Sequence, residues 1–179
     1  MAVYGPRSPT NSDTEGAPAW ANTANAYTTN GLYAVHVGDG VGAGGLLLYD
    51  YGFSTGGQTI TGIKVSIVAH ATASKLDLNA ALLGDGGEFG GLITYTTPVS
   101  FSPGTTDSTI VIGGAGDNWG YAWTSAEVDG AFGVLINSPL ATTETIYVDS
   151  ALITVYTNGS TDPSGGGPLF RRRRSFRGG

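Results

Sequence analysis

Ile60-Thr61-Gly62-Ile63-Lys64-Val65-Ser66-Ile67-Val68-Ala69-His70-Ala71 is the stretch on which the fold turns. Successive side chains of an extended strand point to opposite faces, so Ile63, Val65, Ile67 and Ala69 share one side while Lys64, Ser66 and His70 mark the other. A period of two predicts a half-buried strand. Residues 75–83 repeat the pattern, with Leu76, Leu78, Ala80 and Leu82 alternating against Lys75, Asp77 and Asn79. Gly84-Asp85-Gly86-Gly87 reads as the turn that closes this strand.

Working outward, similar short runs at 32–37, 45–53, 92–96, 99–101, 109–112, 132–137 and 145–156 predict further strands separated by glycine-rich turns. Within 45–53, Leu47, Tyr49, Tyr51 and Phe53 are expected on one face and Leu46, Leu48 and Asp50 on the other. The run 145–156 is long enough to predict a bulge or bend near Asp149-Ser150. Only one stretch is helical: Thr124 is placed to cap it, Glu127 follows at capping-box spacing and Gly130 ends it. Many strands with almost no helix predict an all-β protein, a two-sheet antiparallel β-sandwich of jelly-roll type with extended N- and C-terminal arms.

The division expected is an extended N-terminal arm or long loop at 1–31, a sandwich body at 32–157, and a flexible Gly/Ser/Pro linker with an arginine-rich tail at 158–179. The chain has 179 residues, 30 of them glycine, and no cysteine, which excludes disulfides and thiolate metal sites. No apolar run has the length of a membrane helix, and the first residues do not resemble a signal peptide, so a soluble protein without a membrane partner is expected.

Charge is segregated along the chain. All 14 acidic residues precede position 171, where the only basic residues are Arg7, Lys64 and Lys75, whereas the tail holds Arg171, Arg172, Arg173, Arg174 and Arg177. An acidic body repels nucleic acid, so the expected partner of the tail is the acidic surface of another copy. Phe170 and Phe176 bracket the arginines as apolar anchors. Guanidinium groups pair bidentately with carboxylates and stack on rings, so Phe170 to Arg177 is the candidate assembly segment.

No catalytic constellation emerges. His36 and His70 each sit in a predicted strand with no ligand spacing beside them and are expected at the surface or at an edge. No nucleophile elbow or phosphate-binding loop is present, and no spacing selects a carboxylate pair for glycoside hydrolysis. The acidic turns around Asp39, Asp85 and Asp117 offer oxygen ligands to calcium, but none matches an EF-hand loop, and no cofactor is called for. Asn158-Gly159-Ser160 has the form of a glycosylation sequon. Trp119, Tyr121 and Trp123 alternate, and with Trp20 they suggest either a core or a platform on which sugar rings stack, with core packing favoured.

The residues Arg7-Ser8-Pro9, Ala19-Trp20-Ala21-Asn22, Tyr33-Ala34, Tyr51-Gly52-Phe53, Thr59 to Val65, Trp119-Gly120, Trp123-Thr124, Phe132-Gly133-Val134, Val148-Asp149 and Ile153-Thr154-Val155-Tyr156 together resemble a group of phage-encoded and metagenomic β-sandwich proteins. The resemblance covers residues 7–156 and implies a virion or extracellular-fibre subunit of jelly-roll type that assembles without catalysis. The leading expectation is therefore a structural subunit that self-assembles into a filament or phage particle through its ends. The competing expectation is a carbohydrate-binding module contacting sugar through Trp20, Trp119 or Trp123, with calcium as a further option.

Overall fold

The computed structural model describes residues 1–73, 76–88, 92–94, 96–138 and 143–159, with the backbone alone described at 85–88 and 92–94. Its strands are β1 (Ala2–Arg7), β2 (Asn11–Gly16), β3 (Ala34–Val37), β4 (Gly44–Tyr49), β5 (Ile60–Ala71), β6 (Leu78–Glu88), β7 (Leu92–Thr94), β8 (Val99–Phe101), β9 (Ser108–Gly113), β10 (Gly133–Asn137) and β11 (Thr145–Thr157). One short helix, α1 (Ser125–Asp129), and a 3-10 helix at Thr23–Tyr27 complete it. The first sheet runs β1-β11-β5-β9 with β3 also on β11, and the second runs β2-β4-β10-β6-β7 with β8 also on β6. Every pairing is antiparallel, and the two sheets form a β-sandwich.

β5 takes the bounds its alternation predicts, and Ile63, Val65, Ile67 and Ala69 are fully buried. Each of the three branched side chains buried in this way contributes about 1.5–3 kcal/mol. Against them, from the second sheet, pack Leu46, Leu48, Leu78, Ala80, Leu82, Val134 and Ile136 in one continuous core. β11 carries the expected irregularity: its register with β5 shifts between Val148 and Ser150. The helix is also as expected, with Thr124 Oγ1 accepting from the Glu127 N–H while the Glu127 carboxylate accepts from the Thr124 N–H.

Three expectations are corrected. Residues 1–31 are not an arm, because β1 zips onto residues 153–157 of β11 and β2 onto β4, one in each sheet. Polar edge strands carry no apolar period; Asn11–Gly16 has no apolar side chain, and the Pro6 in β1 suits an edge where no donor is needed on one side. The Gly84 to Gly87 run is not the turn that closes the strand, since β6 continues through it to Glu88. β4 ends at Tyr49 because Asp50 takes a left-handed conformation, φ 61°. That residue inverts the alternation, so Tyr51 and Phe53 join Leu46 and Leu48 in the main core while Leu47 packs with Leu83 and Leu135 on the opposite side of the sheet. The tail, with Phe170, Arg171, Arg172, Arg173, Arg174, Phe176 and Arg177, lies outside the described residues.

Candidate functional site

The three tryptophans are core residues. Trp20, Trp119 and Trp123 are 5%, 6% and 5% exposed, which is the core packing favoured for them, and the sugar platform of the competing expectation is not there. Trp119 and Gly120 form a turn and Tyr121 a bend, so residues 119–123 are not the extended segment their alternation suggests. Trp119, at φ 58°, is held by its N–H on Asp117 Oδ1 at 2.8 Å and sends its indole Nε1 to the Ile63 carbonyl at 3.0 Å. Gly113 makes room for it, because a Cβ there would lie 2.2 Å from the Ile63 carbonyl oxygen and 2.5 Å from the indole nitrogen. Trp123 donates to the Asn118 carbonyl at 3.1 Å and meets Phe132 edge to face.

His36, expected at the surface or at an edge, stands on β3, whose one strand partner among the described residues is β11, and its side chain is fully buried beside the Trp20 ring. Its Nε2 lies 3.0 Å from Ser138 Oγ, which also accepts the Gly44 N–H. The strand parity that puts His36 inward is set by the pairing of β3 with β11, which its own sequence does not announce.

His70 has the opposite fate, and around it an aromatic site assembles on the outer face of the first sheet. Tyr147 points outward because its neighbours Ile146 and Val148 fill the core, and register places it directly opposite His70. The two rings stack with centroids 4.4 Å apart and planes 15° from parallel. Tyr33, just before β3, is nearly perpendicular to both, 5.0 Å from His70 and 5.7 Å from Tyr147, so it lies across the rim of the stacked pair. Asp107 completes the group from the residue before β9. Its Oδ2 accepts the Tyr33 hydroxyl at 2.7 Å and its Oδ1 lies 2.7 Å from His70 Nδ1. A carboxylate can only accept, so that histidine nitrogen carries the proton.

These contacts shape the electrostatics. The Tyr33 hydroxyl and, next, His70 hold the Asp107 carboxyl below the usual carboxylate range, and the same Tyr33 to Asp107 bond raises the Tyr33 phenol above its ordinary value. The His70 side chain is 22% exposed and that of Asp107 is 41% exposed, so the cluster meets solvent. The β11 irregularity supports it from behind. Asp149, buried at the register shift, accepts the N–H groups of Asn30 and Gly31 at 3.0 Å, and Ser150 Oγ meets Thr29 Oγ1 at 2.8 Å. The loop pinned in this way leads into Tyr33.

Two other places offer less. An open cleft of about 600 Å³ at the far end of the sandwich is lined by Arg7, Ser8, Thr10, Asp50, Gly52 and Asp129. Its polar groups are committed: Arg7 donates to the Gly52 carbonyl and sits over the Phe53 ring, Asp50 binds Asn11, and both Asp129 oxygens accept the Thr55 N–H. For calcium, no group of three or more histidine or carboxylate side chains converges among the described residues. Asp39 Oδ1 instead accepts the N–H groups of Val41 and Gly42, the Asp117 Oδ1 accepts that of Trp119, and the side chain of Asp85 lies outside the described residues.

Among known proteins, no family model matches the chain and no curated protein matches its sequence. Solved structures with a similar fold include a CBM4 module, at 13% identity over 68% of this chain and 80% of that one, with TM-score 0.45. A family 11 carbohydrate-binding module from Clostridium thermocellum, in complex with a β-1,3-1,4-mixed-linked tetrasaccharide, is 13% identical over 87% and 88% of the two chains, with TM-score 0.44. The enzymatically active domain of a tailspike protein from bacteriophage CBA120 is 9% identical over 80% of this chain and 19% of its own, with TM-score 0.44.

Proposed function

We propose that this protein is a non-catalytic carbohydrate-binding β-sandwich module whose sugar-contacting surface is the Tyr33, His70, Tyr147 and Asp107 cluster. One observation carries the reading: this is a three-ring aromatic group on a solvent-facing side of a sheet, tied to an ionised carboxylate. Sugars present apolar C–H faces rimmed by hydroxyls, and such a surface needs an aromatic ring for the faces and a carboxylate acceptor for the hydroxyls. The acidic body selects neutral sugars over uronates or sulfated chains. Carbohydrate-binding modules are among the solved structures of similar fold.

A glycan array of neutral plant, bacterial and animal polysaccharides tests it. Binding by the native chain that falls at least tenfold in Tyr33→Ala and Asp107→Asn, at unchanged thermal stability, supports the site. Binding unaffected by either substitution removes the cluster from the function.

A second reading, self-association of a structural subunit in a fibre or virion, is favoured by a different observation. Val3, Val99 and Val111 are exposed, and each stands on a strand with a single neighbour in its sheet, namely β1, β8 and β9. Unpaired edges bearing apolar side chains suit strand addition between copies. Sedimentation velocity at rising concentration decides: a chain that stays monomeric, with and without residues 160–179, ends this reading.

A further inference from the structure

The outer face of the second sheet carries a polar row that the aromatic site does not use. Register sets Glu15 opposite Gly45, Gly45 opposite Asn137, Asn137 opposite Asn79, and Asn79 opposite Ser100, one residue from each of β2, β4, β10, β6 and β8. Their chain neighbours Leu46, Ile136, Leu78, Ala80 and Phe101 face the core, so Gly45, Asn137, Asn79 and Ser100 face outward. With strands about 4.8 Å apart, the row extends over about 19 Å in a straight line across the sheet.

Its hydrogen-bonding capacity is largely free. Ser100 Oγ donates to Asn79 Oδ1 at 2.8 Å, but neither the Glu15 carboxylate nor the Asn137 amide has a side-chain partner among the described residues. Both lean over the glycine: a Cβ at Gly45 would come within 2.3 Å of Glu15 Cγ and 2.8 Å of Asn137 Oδ1. Partial burial raises the Glu15 carboxyl above its ordinary range. The basic residues among those described, Arg7 and Lys64, belong to the other sheet, so neither of these described cations compensates it. A half-buried carboxylate without donors is costly, and a ligand rich in hydroxyls supplies the donors.

We propose that the row Glu15, Asn137, Asn79 and Ser100 is a second glycan-contact site, which takes a linear neutral polysaccharide laid across the strands and makes the module bivalent. This rests on the carbohydrate-binding reading above. The amides both donate and accept, as sugar hydroxyls do, and the carboxylate repels acidic chains. The two sites lie on opposite outer faces of the sandwich, so one molecule bridges two glycan chains.

The test uses the full chain with soluble mixed-linked β-1,3-1,4-glucan, β-1,4-galactan and polygalacturonate, measuring retardation in polymer-containing native gels and precipitation of the polymer in solution. The native protein is expected to be retarded by a neutral polymer, to precipitate it, and to ignore polygalacturonate. Asn79→Ala combined with Asn137→Ala, which removes neutral hydrogen bonds, and separately Glu15→Gln, which removes the charged acceptor, should each lose precipitation and weaken retardation about tenfold, with melting temperature not lowered. Tyr33→Ala should also lose precipitation while keeping residual retardation. Precipitation undiminished in both row variants but abolished in Tyr33→Ala overturns the row and leaves the first site standing. Preferential binding of polygalacturonate overturns the neutral class. A native chain that neither neutral polymer retards and no arrayed glycan binds overturns both sites together.

Discussion

Tyr147 and His70 stand face to face across β11 and β5, centroids 4.4 Å apart, on the side of the sheet that meets water. Cross-strand aromatic pairs stabilise a sheet by about 0.5–1.5 kcal/mol beyond the area they bury. A double-mutant cycle with Tyr147→Ala and His70→Ala should therefore return a coupling free energy of about 1 kcal/mol in urea unfolding. A coupling near zero would mean the rings are neighbours without being partners, and the cluster would lack the rigidity a binding surface requires.

The tryptophans give a separate optical prediction. With all three at 5–6% exposure, emission should be blue-shifted and barely quenched by acrylamide, and saturating sugar should leave it unchanged. Sugar-dependent quenching of tryptophan in the folded protein would return Trp20, Trp119 or Trp123 to the binding surface. Tyrosine absorbance, in contrast, should respond to ligand, because Tyr33 and Tyr147 form the contact.

Much of the sandwich was legible in the sequence because the core obeys a strict period of two. Ile63, Val65, Ile67 and Ala69 declare their side of β5, and Thr124 with Glu127 declares the helix cap. Asp50 broke the reading of β4, since one left-handed residue inverts everything after it, and Asp is a residue that tolerates that conformation without advertising it. β2 was invisible because an edge strand exposed on its polar side needs no apolar residue. The candidate site was hidden for another reason. Tyr33, His70, Asp107 and Tyr147 lie on four separate segments, and only strand register, a long-range property, brings them together. The outward parity of His70 was readable; its facing partner was not. Aromatic density marks a core and a platform alike, so the sequence favours the core for the tryptophans without excluding the platform, and glycines such as Gly113 decide by making room inside.

The hydrogen bond from Tyr33 to Asp107 leaves a signature in alkaline titration. Asp107 is the main cause of the raised Tyr33 phenol, which should ionise above pH 10. Asp107→Asn removes the charged acceptor, so this tyrosine should return toward its ordinary value, seen as a shift of one phenolate step at 295 nm. Tyr51, also raised but by complete burial, is the control: its ionisation should track unfolding in both proteins. An unchanged titration in Asp107→Asn would show that the contact does not hold in solution.

His36 sets the acid side of stability. Burial, the largest cause, lowers its pKa below 6.5, and the nearby Asp39 and the Pro18 carbonyl oppose that only in part. Between the folded and unfolded values the unfolded chain binds more protons, so stability rises with pH there; it is complete above about pH 6.5 and is lost as pH falls through that window. Asp39, Asp107 and Glu127, all held below their ordinary values, act in the same direction but only below about pH 4, where unfolded carboxyls protonate. Glu15, raised by burial, works in the opposite sense above pH 4.5 and offsets part of the histidine effect. Comparing chains that share Glu15 removes that contribution. Urea unfolding of the native protein and of His36→Gln between pH 5 and 7 should show a positive slope of stability with pH in the first and a smaller or reversed one in the second. Equal slopes would mean that His36 titrates alike in the folded and unfolded chain, which a ring fully enclosed beside Trp20 and Ser138 does not allow.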